Sequence, residues 1–350
     1  MSRLDDAVNG EYFVRTMCHL EPISNSAAFD GWDLEYTQLS TGGFRCDSRE
    51  VRFGGVQIYT ETNNATTHQT GVAWENAFTF IVPGEMREAG RVNGQRWHET
   101  VVAFHGAREF SSRVPPMSLR AVSVAQSLAL SCWEVARTVD FASRLARNIK
   151  LVGKRESTRM AAGQITGLVS LCVERPDVLA LAPARAAFTR ELLDLLSPFV
   201  SDDDESGVPV GDSRRRIQIV RRAREFALEH IDTPLRVSDV CQAVGISRRT
   251  LQYSFELELG INPVAYLRLM RLNGARRDLL FPCPEWQVKD VAARWGFWHW
   301  SRFSCEYRAM FGELPSQTLL IARNGGSRNE HVSEPNRAGV TDGGSQQRRT

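Results

Sequence analysis

The sequence predicts an α+β chain of several domains, with a small β-barrel in front, a helical segment in the middle and an all-α domain behind. Three observations carry this reading. Short runs of β-branched and aromatic residues, punctuated by glycine, fill residues 32–124; helical periodicity replaces them from residue 125; and a motif beginning at Asp239 returns 51 residues later. At 350 residues the chain exceeds one ordinary core, on a prior of roughly 150 residues per domain. With 42% hydrophobic and 24% charged residues it is excluded from the disordered and collagen-like classes.

Residues 1–124 form the expected β-domain, a small barrel or sandwich by its strand pattern. Val56–Thr60, Phe78–Val82 and Thr100–Phe104 read as strands, and Gly42-Gly43, Gly54-Gly55 and Asn93-Gly94 as tight turns between them. No run approaches the roughly 18 apolar residues of a membrane span, and Arg3, Asp5, Asp6, Glu11 and Arg15 interrupt any signal peptide. The seven cysteines are scattered and never form a close metal or redox pair, which fits buried thiols in a reducing cytoplasm. Residues 125–200 follow as helices near 125–146, 157–173 and 183–196. Residues 201–213, beginning Ser201-Asp202-Asp203-Asp204-Glu205, are polar, acidic and aperiodic, and read as a linker. Residues 324–350 lack large apolar side chains and are expected to be a disordered tail.

Between linker and tail, residues 214–323 hold 18 Arg or Lys against 11 Asp or Glu, so the back of a chain whose net charge is only +2 is basic and its front acidic. A basic half is a candidate for a polyanionic partner. Here Asp239–Ile246 recurs as Asp290–Phe297. After one inserted residue, Leu251, Phe255, Gly260 and Pro263 recur as Phe303, Tyr307, Gly312 and Pro315. Each copy reads as a short helix, a glycine for a left-handed turn and a second helix with apolar residues four apart. That is a helix-turn-helix unit, and two of them can occupy successive major grooves on one face of a duplex, about 34 Å apart. The alternative is a pair of structural helical hairpins.

The combined motif resembles the DNA-binding domain of the AraC family of bacterial transcription regulators. The resemblance rests on Pro263–Leu267, Arg271-Leu272, Ala275, Leu279-Leu280, Val288–Phe297, Phe303, Tyr307, Phe311-Gly312 and Pro315. It implies two helix-turn-helix units joined by one long helix, about Pro263–Phe281, behind a cupin-like effector domain. A cytoplasmic activator of a catabolic operon is implied too, with promoter DNA, RNA polymerase, a small effector and a second copy of the chain as partners and residues 125–200 as the dimerisation segment. Ser247–Gln252, Arg271–Asn273, Trp295–His299 and, more loosely, Val56–Tyr59 and Trp74–Phe78 resemble the ethanolamine-utilisation operon regulators of that family. That likeness implies ethanolamine as effector and adenosylcobalamin as co-effector; another catabolic or stress operon with another effector is the alternative.

In the first unit Ser247 is the expected N-cap and Leu251 and Phe255 face inward. That leaves Arg248, Arg249, Gln252 and Tyr253 outward; arginine can bind guanine and glutamine adenine bidentately, and by position in the family motif the resemblance implies base contacts for Arg249, Gln252 and Tyr253 and a phosphate contact for Arg248. Matching positions in the second unit are Trp300, Ser301, Ser304 and Cys305, with Arg302 beside them; these favour apolar contact and shape readout. Arginines 214–216, 221, 222 and 224 suit a phosphate-facing helix end. For the effector, Trp74, Phe80 and Trp97 are candidate pocket walls and Glu75 or Glu109 a candidate anionic partner. His68, His98 and His105 with Glu75, Glu99 and Glu109 invite a metal-dependent barrel enzyme as the rival class. No His-x-His pair, phosphate-binding glycine loop or nucleophile elbow supports it, so no catalytic or metal-ligating residue is assigned.

Overall fold

The computed structural model describes residues 12–22, 31–106, 108–147, 149–201, 210–231, 233 and 235–324. Most of the expected linker, 202–209, and the tail from 325 onward lie outside the described residues.

Twelve strands are described in the front half: β1 (Tyr12–His19), β2 (Asp33–Gln38), β3 (Cys46–Phe53), β4 (Val56–Asn63), β5 (Thr67–Val72), β6 (Ala77–Pro83), β7 (Gly90–Val92), β8 (Gln95–Trp97), β9 (Val101–His105), β10 (Phe110–Val114), β11 (Met117–Ala125) and β12 (Lys150–Val152). They form two sheets. The larger, sheet A, runs β1-β3-β4-β11-β6-β9-β12, and the smaller, sheet B, β2-β5-β10-β7-β8. Of the barrel and the sandwich that the strand pattern allows, the small β-barrel is the expected form; among the described residues no ladder joins the two sheets, so the barrel is not closed and the sheets stack instead. Alternation along β11 shows why both faces of sheet A are apolar. Leu119 and Ala121 enter the space between the sheets, whereas Val122 and Val124 face a layer of helices.

That layer comprises α1 (Gln126–Cys132), α2 (Val135–Arg147), α3 (Arg155–Glu174) and α4 (Ala182–Val200), with a 3-10 turn over Pro176–Ala180. The single helix expected near 125–146 is broken at Trp133, whose indole donates to Leu193 O at 3.1 Å. The stretch 125–200 is also not wholly helical, because β12 pairs with β9 as an edge of sheet A. Three residues are too short a run to show strand periodicity. Phe53, Phe78, Phe80 and Val122 of the sheet interlock with Phe141, Ile165, Leu196 and Phe199 of the helices.

The back half is all helix: α5 (Val210–Glu229), α6 (Val237–Val244), α7 (Arg248–Leu259), α8 (Pro263–Leu280), α9 (Val288–Arg294), α10 (Trp300–Phe311) and α11 (Pro315–Arg323). Helix α8 belongs to two cores. Its Tyr266 packs with Val240, Leu251 and Phe255, and its Leu272, Ala275 and Leu279 with Val291, Ala292, Phe303 and Tyr307. Among the described residues no helix is long and apolar enough to cross a membrane.

Sheet B and the loops beside it dock on α7 and α8. Gln38 N donates to Asn273 Oδ1 and Asn273 Nδ2 returns a bond to Gln38 O, each at 3.1 Å; His68 Nδ1 lies 2.9 Å from Tyr266 Oη; and Arg276 pairs with Glu21 at 2.5 Å. Tyr266, Asn273 and Arg276 recur at helical spacing, so one stripe of α8 faces the front half.

Candidate nucleic-acid interface and sheet cavity

The turn of the first unit is made by Gly245, at φ +73° and ψ +37°, with Ile246 N donating to Cys241 O at 3.0 Å. Ser247 Oγ then accepts from Thr250 N at 3.1 Å, capping α7 as its sequence predicts. Because Leu251, Phe255 and Leu259 are buried, Arg248, Arg249, Gln252 and Tyr253 project together from the opposite face, Tyr253 with 56% of its surface exposed. Gln252 Nε2 is held by Glu256 Oε1 at 2.9 Å, which extends its amide along the helix.

The second unit repeats the turn through Gly296, at φ +74°, with Phe297 N donating to Ala292 O at 2.9 Å. Burial of Phe303 and Tyr307 leaves Trp300, Ser301, Arg302 and Cys305 exposed and Ser304 half-buried. Trp298, beside them, is 59% exposed. Arg302 is not a loose charge. Its Nε donates to Glu306 Oε1 at 2.8 Å, and Arg268 of α8 grips the same carboxylate. The Glu306 bridge was not expected from the sequence, although the i,i+4 spacing of Arg302 and Glu306 could have indicated half of it.

The basic helix α5 departs from expectation. Arg214, Arg215 and Arg222 are exposed, but Arg216 is buried against Glu258 at 3.1 Å, Arg221 pairs with Glu109 at 3.0 Å and Arg224 with Glu35. Three of the six arginines expected to face phosphate are therefore held by carboxylates. Burial outweighs the Arg216 guanidinium at Glu258 and pushes its carboxyl up to about 7.

Between the sheets lies a narrow cavity of about 40 Å³, walled by Trp32, Tyr36, Tyr59, Trp97, Phe104 and Phe110. Its polar centre is Glu61. Oε2 accepts from Tyr36 Oη at 3.0 Å and Tyr59 Oη at 3.3 Å, and Oε1 accepts from Asn63 Nδ2 at 2.8 Å. Burial, and then the Glu61 charge, hold both phenols well above the usual tyrosine range. Of the effector residues expected from the sequence, Trp97 alone reaches this cavity, its Nε1 donating to Thr100 O at 2.8 Å. Phe80 lies in the other core, stacked on Phe141; Trp74 lies under the Arg52 guanidinium; Glu75 is exposed; and Glu109 pairs with Arg221. Glu61 escaped sequence reasoning because a glutamate in Tyr59-Thr60-Glu61-Thr62 alternates like any solvent-facing strand residue.

The histidines of the enzymatic alternative are dispersed. His68 sits between Tyr266 and Ser111, His98 lies 3.7 Å from Glu99, and His105 lies 3.3 Å from Gln126. Among the described residues no group of three or more His, Cys, Asp or Glu side chains could hold a metal ion.

A helix-turn-helix domain model matches residues 240–320, spanning both turns and both exposed helices. Residues 240–320 are thus similar to a helix-turn-helix domain. A probable thc operon regulatory protein of Rhodococcus erythropolis is 42% identical over 102 residues, which are 29% of this chain and 31% of that one. The XylDLEGF operon transcriptional activator 3 of Pseudomonas putida is 29% identical over 177 residues, 48% of this chain and 51% of its own. The chain thus matches about a third to a half of these relatives' lengths. Among solved structures, a probable AraC family transcriptional regulator from Rhodopseudomonas palustris CGA009 is 30% identical, covering 30% of this chain and 97% of that one with a TM-score of 0.28. In this helix-turn-helix domain, the nine sequence-predicted DNA-contact residues lie on α7 and α10, eight of them exposed and Ser304 half-buried.

Proposed function

We propose that the chain is an effector-responsive, sequence-specific transcription activator of a catabolic operon, binding promoter DNA through α7 and α10 as a dimer and contacting RNA polymerase. The observation that carries this reading is the pair of exposed recognition faces mounted on one shared helix, α8. On α7, Arg249 and Gln252 offer planar paired donors for base edges and Arg248 a phosphate contact; on α10, Trp300, Ser301, Ser304 and Cys305 offer short hydroxyls and apolar surface, with Arg302 steered by Glu306. Residues 1–124 sense the effector, 125–200 serve dimerisation and 214–323 bind DNA.

Strand alternation supports a route from effector to DNA. On β5 and β10, Gln69 and Ser112 face the cavity, while of their neighbours His68 meets Tyr266 of α8 and Ser111 meets His68. A ligand that widens the cavity by displacing sheet B would act on α8, because sheet B docks on that helix. The ethanolamine reading keeps only its sequence resemblance as support, since the relatives above serve thc and xyl operons. A cavity of about 40 Å³ with packed aromatic walls does not fit adenosylcobalamin.

Competition binding against duplexes randomised across both half-sites tests the reading. Arg249→Ala should cost about 1–3 kcal/mol on the selected sequence, relax one base position and spare random DNA. Equal weakening on both, or no selected sequence at all, would refute it.

A further inference from the structure

The helix-facing side of sheet A is not uniform. One row across its strands, Val51-Ile58-Val122-Phe80, is apolar and sealed by the helices. The next row toward the other end of these strands is Thr16-Arg49-Thr60-Arg120, and the row beyond it Cys18-Asp47-Thr62-Ser118. Residues opposed in register share a face, so Arg49 and Arg120 stand on either side of Thr60, two strand spacings or about 10 Å apart. Both line one groove of about 740 Å³ beside Thr166 of α3.

Arg120 is unusual for its position. It lies on β11, the middle strand of seven, where a side chain pointing at the helix layer is ordinarily apolar. Its one hydrogen bond among the described residues is Nε to Thr166 Oγ1 at 2.9 Å, and Nη1 is buried with no acceptor. Gly84 makes room for it: a Cβ there would come within 2.8 Å of Nη1. Asp47, an exposed carboxylate of the groove, is held by both donors of Arg45 at 2.9 and 2.8 Å and also feels the Arg49 charge; Arg49 itself lies 3.5 Å from Ser170 Oγ. The other carboxylate lining the groove, Glu61, is engaged by Tyr36, Tyr59 and Asn63. On the other side of Arg120 a second groove opens, where Arg159 has no acidic partner among the described residues and Arg155 is taken by Glu99 at 2.6 Å. Burial pulls the Arg120 guanidinium below its ordinary range, as expected of a cation with no anion beside it.

Two guanidiniums flanking a hydroxyl row in a groove, one of them, Arg120, without an anion beside it among the described residues and the other, Arg49, free of any direct carboxylate hydrogen bond there, are the chemistry of an oxyanion site. A planar fork gives paired bonds to a carboxylate or a phosphate, and hydroxyls from Thr60, Thr62 and Ser118 can complete the shell. We propose that this groove is a second ligand site, separate from the cavity between the sheets, which takes a small molecule through its carboxylate or phosphate group on Arg120 and Arg49. An anion there would tie β3, β4 and β11 to α3. The site does not depend on the DNA-binding reading, and its test contains no DNA.

Titration calorimetry on the full chain, at matched ionic strength, compares succinate, inorganic phosphate and chloride. Saturable heat with succinate or phosphate but not chloride is expected, and whichever of the two binds more tightly identifies the anion class. Arg120→Gln should weaken that binding about tenfold or more. Thr166→Val removes the one protein bond to Arg120 but keeps the charge, so it should retain binding; this separates a binding role from one in pinning α3. Absence of saturable heat with both anions in the unmodified chain, or the same affinity in Arg120→Gln, overturns the proposal.

Discussion

His68 is one of the residues on which the two halves meet. Its Nδ1 faces Tyr266 Oη at 2.9 Å and its Nε2 Ser111 Oγ at 3.0 Å, leaving no nitrogen free for a second proton without loss of an existing arrangement. Burial, and then Arg224, lower its pKa from 6.5 to about 3. A base whose folded pKa is depressed favours the neutral form. Its contribution to docking is therefore complete above pH 6.5 and declines as pH falls from there toward about 3. Nuclear magnetic resonance of the His68 ring should show no titration between about pH 8 and about pH 5. A His68 midpoint near 6.5 would mean that the ring is not buried against α8. Residue identity alone did not reveal this role, since a histidine in Thr67-His68-Gln69 looks the same whether its face meets solvent or another domain.

At the scale of elements, the back half was the more legible. Helix-turn-helix units are local: a glycine fixes the turn, an apolar pair four apart fixes the inward face, and the repeat supplies a second copy, so α6 to α10 and the exposure of Arg249 follow from short-range pattern. The long helix expected over Pro263–Phe281 is observed over Pro263–Leu280. Strand pairing is non-local, so neither the split into two sheets nor the recruitment of Lys150–Val152 to an edge could be read from runs of β-branched residues. Glycine 274 illustrates a third kind of information, which is packing. A Cβ on it would lie 2.1 Å from Trp295 Cη2, and the indole Nε1 donates to Asp278 Oδ2 at 2.8 Å, so Trp295 seats the second unit directly on the α8 backbone. Gly274→Ala should destabilise that unit by about 1–3 kcal/mol through overpacking. Adding Trp295→Phe should recover part of the loss, which urea unfolding of the single and double variants measures as non-additivity. Strict additivity would place the two side chains out of contact.

For the whole molecule, the uneven charge has two uses. The acidic front and basic back invite a polyanion, yet part of that basicity is spent within the chain: Glu258 holds Arg216, Glu109 holds Arg221 and Glu35 holds Arg224. Sheet B, through Glu35 and the neighbouring Glu109, thus docks on the face of α5 that carries Arg221 and Arg224, while Glu258 of α7 takes Arg216, and the charge that remains for a duplex is on exposed residues such as Arg248, Arg249 and Arg215. DNA binding should weaken steeply with salt, because each arginine on a phosphate releases counterions and contributes about −0.9 to the slope of log affinity against log salt. The arginines should then fall into two groups. Arg248→Ala should make the slope shallower by about 0.9, while Arg221→Ala, whose guanidinium sits on Glu109, should leave it unchanged even if affinity shifts through looser docking. Affinity measured at several salt concentrations for the unmodified chain and both variants distinguishes them. If Arg221→Ala removes as much slope as Arg248→Ala, the face of α5 that meets sheet B here meets phosphate when DNA is bound, and the docked arrangement is not the one that binds.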